Sequence, residues 1–293
     1  MLKVFFFSQR SNAIPAHMQV LTALRFYATS SFYTVHGDLH TVSVPSVCRI
    51  VHGVTRAFCR LANVVIRFPA NLQEEMQKKR EFFALANFPD VIGAVDCSHI
   101  RLYGAPLGDN EHLFVNRKGF HSINAQVICD AKFNIINVVA RWPGSMHDSA
   151  IFHGSRISDR FENGRFHGVL IGDTGYALRP WLMTPVQDPA TNAERRYNRS
   201  HRRTRVVIEQ TFGQLKRRFP CLSLGMRVSP ERACFIIKAC CVLFNISKSL
   251  REPEFDGDLD EDADDNYEDE GIQYNGPLHD GTVKRNELIN RYF

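Results

Sequence analysis

The sequence predicts an α/β fold in which helices pack on a mixed β-sheet, with a helical segment before it and an acidic tail after it. Four short runs of apolar residues have the length of strands, and three longer stretches have the spacing of helices. A hydrophobic content of 44% over 293 residues is sufficient for a sizeable buried core. The strand-like runs are residues 91–95, 122–129, 135–140 and 169–171, and the helical stretches are residues 149–161, 202–219 and 230–250.

The order of these elements divides the chain into three parts. Residues 89–250 contain three strands, a helix, a fourth strand and further helices, which is the order of a ribonuclease-H-like core. A turn at residues 130–134 separates the second strand from the third, and a polar, arginine-rich connection precedes the helix that starts near Arg202. Residues 1–88 are predicted to be helical, and residues 251–293 to form a loosely structured, disordered tail.

The helical segment has the outline of a DNA-binding motif. Its first helix is predicted over residues 18–28, a turn follows at Gly37, and a second helix begins near Ser43. Helix, turn and capped helix resemble a helix-turn-helix, whose second helix can enter a major groove. Only three side chains of that helix would face DNA, so a plain helical support domain fits the pattern equally well. They are Arg49, His52 and Arg56.

The net charge of +5 results from two regions of opposite sign. Residues 252–270 hold twelve of the 31 acidic residues and no Lys or Arg, so the rest of the chain is strongly basic. A basic body indicates a polyanionic partner, and the acidic tail would compete for the same surface. The alternative is a solvated tail without a role.

The cysteines and the apolar runs exclude several classes of protein. Eight cysteines occur without any Cys-x-x-Cys pair, so we expect reduced, buried thiols rather than a zinc site. We expect no membrane span, because no run of about 18 apolar residues is present. The apolar patch at residues 4–7 is too short for a signal peptide, so the nucleus or the cytoplasm is the expected location.

Four acidic residues occupy positions that favour a shared site. Asp96, Asp148 and Asp173 each follow a predicted strand, where open α/β sheets collect ligands. Glu209 lies on a helix whose buried stripe is formed by its neighbours, so it borders the core. Carboxylates crowded together repel one another, and a hard divalent cation such as Mg²⁺ or Mn²⁺ relieves that repulsion.

Three of these acids have a clear structural alternative, whereas Asp96, after a buried strand, is harder to explain in that way. Asp148 could cap the helix that starts beside it, Asp173 could be an Asx-turn residue, and Glu209 could pair with Arg205. His99 and His147 lie next to acids and could move protons, but packed or supporting histidines are the more common case.

A set of basic residues is predicted to contact DNA phosphates, which provides salt-dependent binding with little sequence readout. The alternative is a solvated, charged helix face. The set comprises Arg195, Arg196, Arg199, Arg202, Arg203, Arg205, Lys216, Arg217 and Arg218, with Arg117 and Lys118 as additions.

Several motifs in one order carry a family resemblance. They cover about residues 88–250, and their combination is much more specific than any one of them. They are VDCSHI (95–100), VNRKGFHS (115–122), WPGSMHD (142–148), GDTGY (172–176), WLMTP (181–185), IEQTFG (208–213) with LKRRF (215–219), and CCVLFNI (240–246). The chain thereby resembles the DDE-type transposases of the PIF/Harbinger group, in particular the domesticated, Harbinger transposase-derived nucleases of animals.

The resemblance implies a chemistry and a site. The metal ligands would be Asp96, Asp148, Asp173 and Glu209, and the catalytic residues Asp96, Asp173 and Glu209. Bound Mg²⁺ or Mn²⁺ would support DNA phosphodiester cleavage by a two-metal mechanism, with Asp96 shared between the metals. It also implies a Myb-like DNA-binding partner for full transposition, and it is compatible with a homo-oligomer.

Two other functions remain as alternatives at this point. The first is a domesticated DNA-binding or chromatin-associated protein that keeps the fold but does not cut. The second is a phosphatase or another small-molecule hydrolase, which predicts acids without a basic groove. The arginine cluster disfavours the second alternative.

Overall fold

The structure is a computed structural model that describes residues 14–40, 42–104, 107–253 and 279–293, with side chains of residues 38–40 and 279–280 left out. In the predicted helical segment 1–88, the described residues 14–40 and 42–88 are mainly helical, and residues 1–13 lie outside the described residues. The helices are α1 (Ala16–Thr29), α2 (Tyr33–His40), α3 (Val44–Arg60), α4 (Ala62–Val65) and α5 (Leu72–Ala86).

The N-terminal helices differ from the predicted helix, turn and helix. Gly37 lies inside α2 rather than in a turn, so a third helix separates α1 from α3. The Tyr27 hydroxyl and the Thr55 hydroxyl are 2.6 Å apart where α1 packs on α3. Helix α3 itself begins where predicted, after Ser43. The segment is therefore helical, but the simple two-helix arrangement was wrong.

Five strands form one mixed sheet in the order β3-β2-β1-β4-β5. Strand β1 pairs antiparallel with β2 and parallel with β4; β2 and β3 are antiparallel, and β4 and β5 are parallel. The strands are β1 (Val91–Arg101), β2 (Ser122–Cys129), β3 (Ile135–Pro143), β4 (Val169–Ile171) and β5 (Leu182–Met183). The predicted mixed α/β sheet is confirmed, and β5 is an additional edge strand.

Strand β1 is longer than its apolar run suggested. Asp96 was predicted to close the strand, but it lies in the middle of it, because the polar half continues to pair with β2 as far as Arg101. The parallel pairing with β4 ends at Ala94. Asp96 is thus two residues beyond the end of the parallel part of the sheet and is still held by backbone hydrogen bonds on its other side.

Helices cover both faces of the sheet. One core cluster joins the sheet to the N-terminal helices and to two long helices, and a second cluster on the other face joins it to two short ones. The remaining helices are α6 (Glu111–Phe114), α7 (Asp148–His153), α8 (Arg156–Glu162), α9 (Asn192–Arg218), α10 (Cys221–Leu224), α11 (Pro230–Ser249) and α12 (His279–Tyr292), with a short 3-10 turn at Gly108–Asn110.

Two predicted helices have different limits in the structure. The stretch 149–161 is two helices, because Ser155 caps α8 by accepting a hydrogen bond from the Ser158 N–H. Helix α9 begins ten residues earlier than Arg202, at a capping box in which Thr191 and Glu194 bond to each other's backbone N–H. The arginine-rich connection is therefore helical.

Part of the predicted tail is ordered. Residues 254–278, which include most of the acidic run, lie outside the described residues. Helix α12 buries Leu288 and Ile289, and the Phe293 ring contacts the rings of Phe88 and Tyr197. The prediction of a loose tail was wrong for this helix, because its apolar face packs against α9. Among the described helices, none combines the length and apolarity that a bilayer crossing requires.

Candidate metal centre

Strand register brings two of the predicted acids together. Strands β1 and β4 run parallel, with Ala94 opposite Ile171. Asp96 and Asp173 each lie two residues further along the chain, so both reach the same level at the carboxyl end of the parallel pair. Gly172 is required between them, because a Cβ there would lie 2.9 Å from the ring of Tyr176.

The third acid comes from a helix start and is fixed by a strand residue. Asp148 is the first residue of α7, and the N-cap position before it is occupied by His147. The Asn124 side-chain amide of β2 donates to Asp148 Oδ1 over 2.8 Å and to the Met146 carbonyl over 3.0 Å. Asn124 therefore holds the acid and the preceding turn in one position, and the helix-cap alternative does not account for this acid.

The three aspartates form a cluster that fits a divalent cation. One oxygen from each of Asp96, Asp148 and Asp173 lies within 4.8 Å of the others, and Asp173 is only 8% exposed. Three carboxylates at this separation repel one another strongly in a partly buried site. An all-oxygen set of this kind is what Mg²⁺ and Mn²⁺ prefer, so the residues present fit the metal that the sequence implied.

Backbone N–H groups orient two of these carboxylates. The Cys97 N–H donates to Asp96 Oδ1 over 2.7 Å, and the Gly175 N–H donates to Asp173 Oδ1 over 3.1 Å. The second contact is the Asx-type turn that the sequence offered as an alternative for Asp173. The turn and the cluster coexist, since the same geometry that closes the turn aims the side chain at the other acids.

Glu209 does not belong to this cluster, contrary to the prediction that all four acids gather at one point. Its side chain is 49% exposed, and Arg205 Nη2 donates to Glu209 Oε1 over 2.6 Å. Arg205 Nη1 donates to Asp96 Oδ2 over 2.9 Å, so one guanidinium bridges the strand acid and the helix acid. The predicted ion pair between Arg205 and Glu209 is thus present, and the Arg205 guanidinium lies between Glu209 and Asp96.

Several residues around the cluster were not singled out from the sequence. Asn124 is one, and the pair Cys97–Tyr176, whose Sγ and hydroxyl are 3.3 Å apart, is another. Burial and the neighbouring Asp148 raise the pKa of Cys97, so its thiol is protonated. The alternation of β2 could have revealed Asn124, because a polar residue inside a run of buried ones needs a partner.

The two histidines beside the acids differ from each other. His147 is exposed just before α7. His99 lies within 3.1 Å of the Ser122 hydroxyl, and burial lowers its pKa to about 4, with Arg117, Lys118 and Lys216 adding to the shift and Asp148 opposing it. His99 is therefore neutral at pH 7, which is typical of a packed, supporting histidine.

The predicted DNA-contacting residues of α9 divide between two faces. One stripe along α9, the stripe of Glu209, also carries Arg202, Arg205 and Lys216. The two arginines lie seven and four residues before Glu209, and the lysine lies seven residues after it, so all four side chains point to the same side of the helix. Arg196 and Arg218 lie on the other side, where they donate to the carbonyls of Phe293 and Pro253. The remaining exposed cations, Arg195, Arg199 and Arg203, and the half-buried Arg217 lie beside the stripe or between the two faces.

Three cations from different elements act electrostatically next to the cluster. Arg117 and Lys118 follow α6, Lys216 belongs to α9, and all three influence the titration of His99 beside the acids. Arg205 is half-buried and bound to carboxylates, so it is not displayed to solvent like its neighbours. The acids therefore lie in a positively charged frame.

Comparison with known proteins agrees with this geometry. The sequence profile of the family described as DDE superfamily endonuclease matches residues 95–245, which contain all four acids. "Putative nuclease HARBI1" of Homo sapiens is 45% identical over 244 residues, covering 82% of this chain and 69% of that protein. The Xenopus laevis protein of the same name is 39% identical over 246 residues, covering 82% of this chain and 70% of its own length.

A more distant relative comes from a plant. "Protein ALP1-like" of Arabidopsis thaliana is 24% identical over 280 residues, covering 89% of this chain and 68% of that protein. No solved structure matches the chain. The profile match over half of the chain, with 45% identity across most of it to "Putative nuclease HARBI1", shows that this protein belongs to the DDE superfamily endonucleases.

Proposed function

We propose that this protein is a divalent-metal-dependent nuclease that cleaves DNA phosphodiester bonds. The observation that carries the proposal is the cluster of Asp96, Asp148 and Asp173, whose oxygens lie within 4.8 Å of one another. Family membership supports it, because the matching profile is that of endonucleases and the animal relatives are named as nucleases.

The carboxylates would hold the metal and orient it toward the phosphate. Bound divalent cations supply an activated nucleophile and stabilise the leaving oxygen of a phosphodiester. Asp96 and Asp173 are the central ligands because the register of β1 and β4 fixes both of them, and Asp148 completes the set through Asn124. Mg²⁺ or Mn²⁺ is the proposed ion.

Glu209 is the proposed fourth ligand, and it would have to exchange Arg205 for a cation. The Arg205 guanidinium now neutralises both Asp96 and Glu209. Release of that guanidinium would let Asp96 serve two metals and would leave Arg205 close to the DNA backbone. The proposed catalytic residues are accordingly Asp96, Asp173 and Glu209.

The charged surroundings favour a polyanionic substrate. Lys216 and the exposed Arg202 lie on the stripe of Glu209, and Arg117, Lys118 and Lys216 all act electrostatically on His99 beside the acids. Such cations can bind phosphates of the DNA backbone near a scissile bond. A small-molecule phosphatase would not need them, so DNA is the proposed substrate.

The direct test is cleavage of supercoiled plasmid DNA by purified protein in Mg²⁺, Mn²⁺ and EDTA. We expect nicking in either metal and none in EDTA, and the Asp173→Asn variant should be inactive although folded. Asp159→Asn, which removes an exposed acid of α8, is the matched control. Cleavage that persists in EDTA or in Asp173→Asn would refute the proposal.

A second candidate is a DNA-binding protein that retains the fold without cutting. The Arg205 bridge favours it, because a cation of the chain itself compensates two of the four acids. The plasmid assay separates the two functions, since this candidate predicts DNA binding in EDTA and no nicking with any metal.

Further proposals concern the fold and the setting. The strand order β3-β2-β1-β4-β5, with three antiparallel and two parallel strands, supports a ribonuclease-H-like assignment. A DNA-binding role for α3, whose Arg49 and Arg56 are exposed, would be a variant of a helix-turn-helix. Action in the nucleus, with the cytoplasm as the alternative, a Myb-like DNA-binding partner and a homo-oligomer are proposed from the family resemblance alone.

A further inference from the structure

A row of alternating aromatic rings and arginine side chains lies on the surface where strand β1 ends. Arg227 Cζ lies 4.7 Å from the centre of the Phe32 ring and 5.3 Å from the centre of the Tyr103 ring. Arg101 Cζ lies 5.5 Å from the centre of the Tyr103 ring and 4.0 Å from the centre of the Phe120 ring. These five side chains form the aromatic row, in the order Phe32, Arg227, Tyr103, Arg101 and Phe120.

Backbone hydrogen bonds hold the middle of the aromatic row in place. The Met226 N–H donates to the Arg101 carbonyl over 3.0 Å, and the Tyr103 N–H donates to the Met226 carbonyl over 2.9 Å. Arg101 and Tyr103 are two residues apart on this extended segment, so their side chains project to the same side. Met226 is buried and the next residue, Arg227, is exposed. Pairing of two distant segments therefore sets the positions of both arginines.

Two further contacts join the ends of the aromatic row. The Ser30 hydroxyl donates to the Gly225 carbonyl over 2.6 Å, which ties the segment before Phe32 to the loop of Arg227. Gly225 has a φ of 88°, and a Cβ there would lie 2.7 Å from the Tyr103 ring, so only glycine lets the ring pack on this loop. Because the row is prearranged in this way, little conformational freedom is lost when a ligand meets it.

The aromatic row remains open to solvent although its members contact one another. Phe32 is 59% exposed and Tyr103 is 36% exposed, which is unusual for rings that only support a fold. In the part of the chain that the structure describes, neither Arg101 nor Arg227 pairs with a carboxylate. The row therefore presents both apolar ring surface and positive charge to a partner.

Exposed rings that alternate with cations suit a single-stranded nucleic acid. Aromatic rings and guanidinium planes stack on the faces of unpaired bases, while cations meet the phosphates. Binding to phosphates alone needs cations but no exposed ring, and in a duplex the base faces are covered by their neighbours. The rings therefore favour unpaired bases over duplex DNA as the occupant.

We propose that the aromatic row stacks on unpaired bases of the DNA substrate, beside the metal centre. The proposal rests on the nuclease function above, because it takes DNA as the substrate. Strand β1 connects the two places: Arg101 follows Asp96 by five residues on the same strand, or about 17 Å. At about 3.4 Å per nucleotide, that separation spans about five nucleotides of one DNA strand. The row thus holds bases that have left the duplex near the bond that is cut.

The experiment measures binding of short fluorescent oligonucleotides by the full chain in EDTA, at one moderate salt concentration. The probes are a single strand of mixed sequence, an abasic strand of the same length, and the corresponding duplex. The abasic strand carries the same phosphates without bases, so the difference between the two single strands reports stacking. We expect wild type to bind the base-bearing strand at least about fivefold more tightly than the abasic strand.

Phe32→Leu is the test variant, because it keeps an apolar side chain and removes the flat ring. Its affinity for the base-bearing strand should fall at least about fivefold, with the affinity for the abasic strand unchanged. Phe32→Trp keeps a flat ring and should retain the preference. Phe83→Leu is the matched control, since Phe83 is 44% exposed on α5, outside the aromatic row. Thermal unfolding verifies that each variant is folded.

Several results would overturn the proposal. Equal affinity of wild type for the base-bearing and abasic strands is one, and unchanged binding in Phe32→Leu is another. A loss that Phe83→Leu shares would mean that the effect is not specific to the aromatic row. A loss of equal size on the duplex would mean that the row contacts paired DNA, and the proposal is wrong.

Failure of the nuclease function gives a different result. Nicking would then be absent in Mg²⁺ and in Mn²⁺, whereas the preference for the base-bearing strand, which is measured in EDTA, would remain.

Discussion

Strand-borne and helix-borne acids are held in different ways in this protein. Asp96 and Asp173 are placed by the register of two parallel strands and oriented by backbone N–H groups. Glu209 is placed by a helix and held by the side chain of Arg205, and it remains half exposed. The first arrangement is fixed by the fold, whereas the second can change when one ion pair breaks.

This difference suggests an order of assembly for the site. One oxygen from each of the three aspartates already lies within 4.8 Å of the others. Glu209 is paired with Arg205, so in the proposed function it would bind a metal only after that arginine is displaced. A bound metal would replace Arg205 as the cation beside the acids, and a DNA phosphate would replace the acids as the anion beside Arg205.

The largest expected effect separates the two kinds of acid directly. Asp173→Asn and Glu209→Gln should each reduce metal-dependent nicking by at least about 10³-fold, which corresponds to several kcal/mol of lost charge stabilisation. They should differ in metal binding, measured by titration calorimetry with Mn²⁺. Asp173→Asn should lose it, and Glu209→Gln should retain a site at the aspartates.

Equal loss of Mn²⁺ binding in both variants would contradict this distinction. In that case Glu209 would belong to the first metal site in solution. Asp159→Asn again provides the control for removal of one negative charge.

The second prediction concerns the buried side of α9, which is fixed as firmly as the strands. His201 is 1% exposed beside the Met183 carbonyl, and burial lowers its pKa to about 4. Below pH 6.5 the unfolded chain binds a proton that the folded chain does not, so stability falls as the pH drops from 6.5 to about 4. The contribution is about 3 kcal/mol, measured by urea unfolding at several pH values.

His201→Gln should flatten this part of the pH profile, because glutamine does not titrate and can still donate to the Met183 carbonyl. His147→Gln, which changes an exposed histidine, is the control. An unchanged slope between pH 6.5 and 4 in His201→Gln would mean that the imidazole is charged inside the fold.

A third prediction tests the support of the aspartates. Asn124→Ala removes the amide that donates to Asp148 and to the Met146 carbonyl, so the acid loses its fixed direction. We expect nicking to fall by roughly 10- to 100-fold, the usual cost of losing a hydrogen bond behind a metal ligand. Asn137→Ala on the neighbouring strand β3 is the matched control, and equal effects of the two changes would argue against this role.

The smallest expected effect concerns Arg205. Replacement of Arg205 by Gln removes a competing charge from Asp96 and Glu209, so Mn²⁺ affinity should rise about fivefold, on the order of 1 kcal/mol. Calorimetry measures it, with Arg199→Gln on the same helix as the control. Weaker binding in Arg205→Gln would mean that the guanidinium organises these acids instead of competing for them.

The sequence predicts those parts of the site that local patterns determine, and it does not predict those that depend on pairing between distant strands. Local patterns give strands β2 and β4 with their observed limits, and they place Asp173 directly after a strand. They do not show that β1 continues past Asp96, because its polar half is a strand only through its pairing with β2. Asn124 was missed although it is a polar residue in an otherwise largely apolar run, and its partner Asp148 comes from another part of the chain.

In the helices, local spacing predicts the start of α9 and one of its salt bridges, whereas the contacts of α9 and α12 with other elements depend on the fold. The start of α9 was predictable, since Thr191 and Glu194 have the spacing of a capping box. The salt bridge of Arg205 with Glu209 follows from a four-residue spacing and was considered. Its second contact, with Asp96, depends on how α9 lies across β1, and helix α12 likewise depends on the surface offered by Phe88 and Tyr197.

The two-residue spacing beyond the paired Ala94 and Ile171 limits how this chain can change through evolution. Side chains alternate along a strand, so one residue inserted before Asp96 or Asp173 would turn that carboxylate to the opposite face. The long connection between Asp173 and Glu209 includes a loop in which side chains do not alternate between two faces. Insertions in the loop between β5 and α9, residues 184–191, would change only the loop length, so lineages can differ there while both strand ends keep their length.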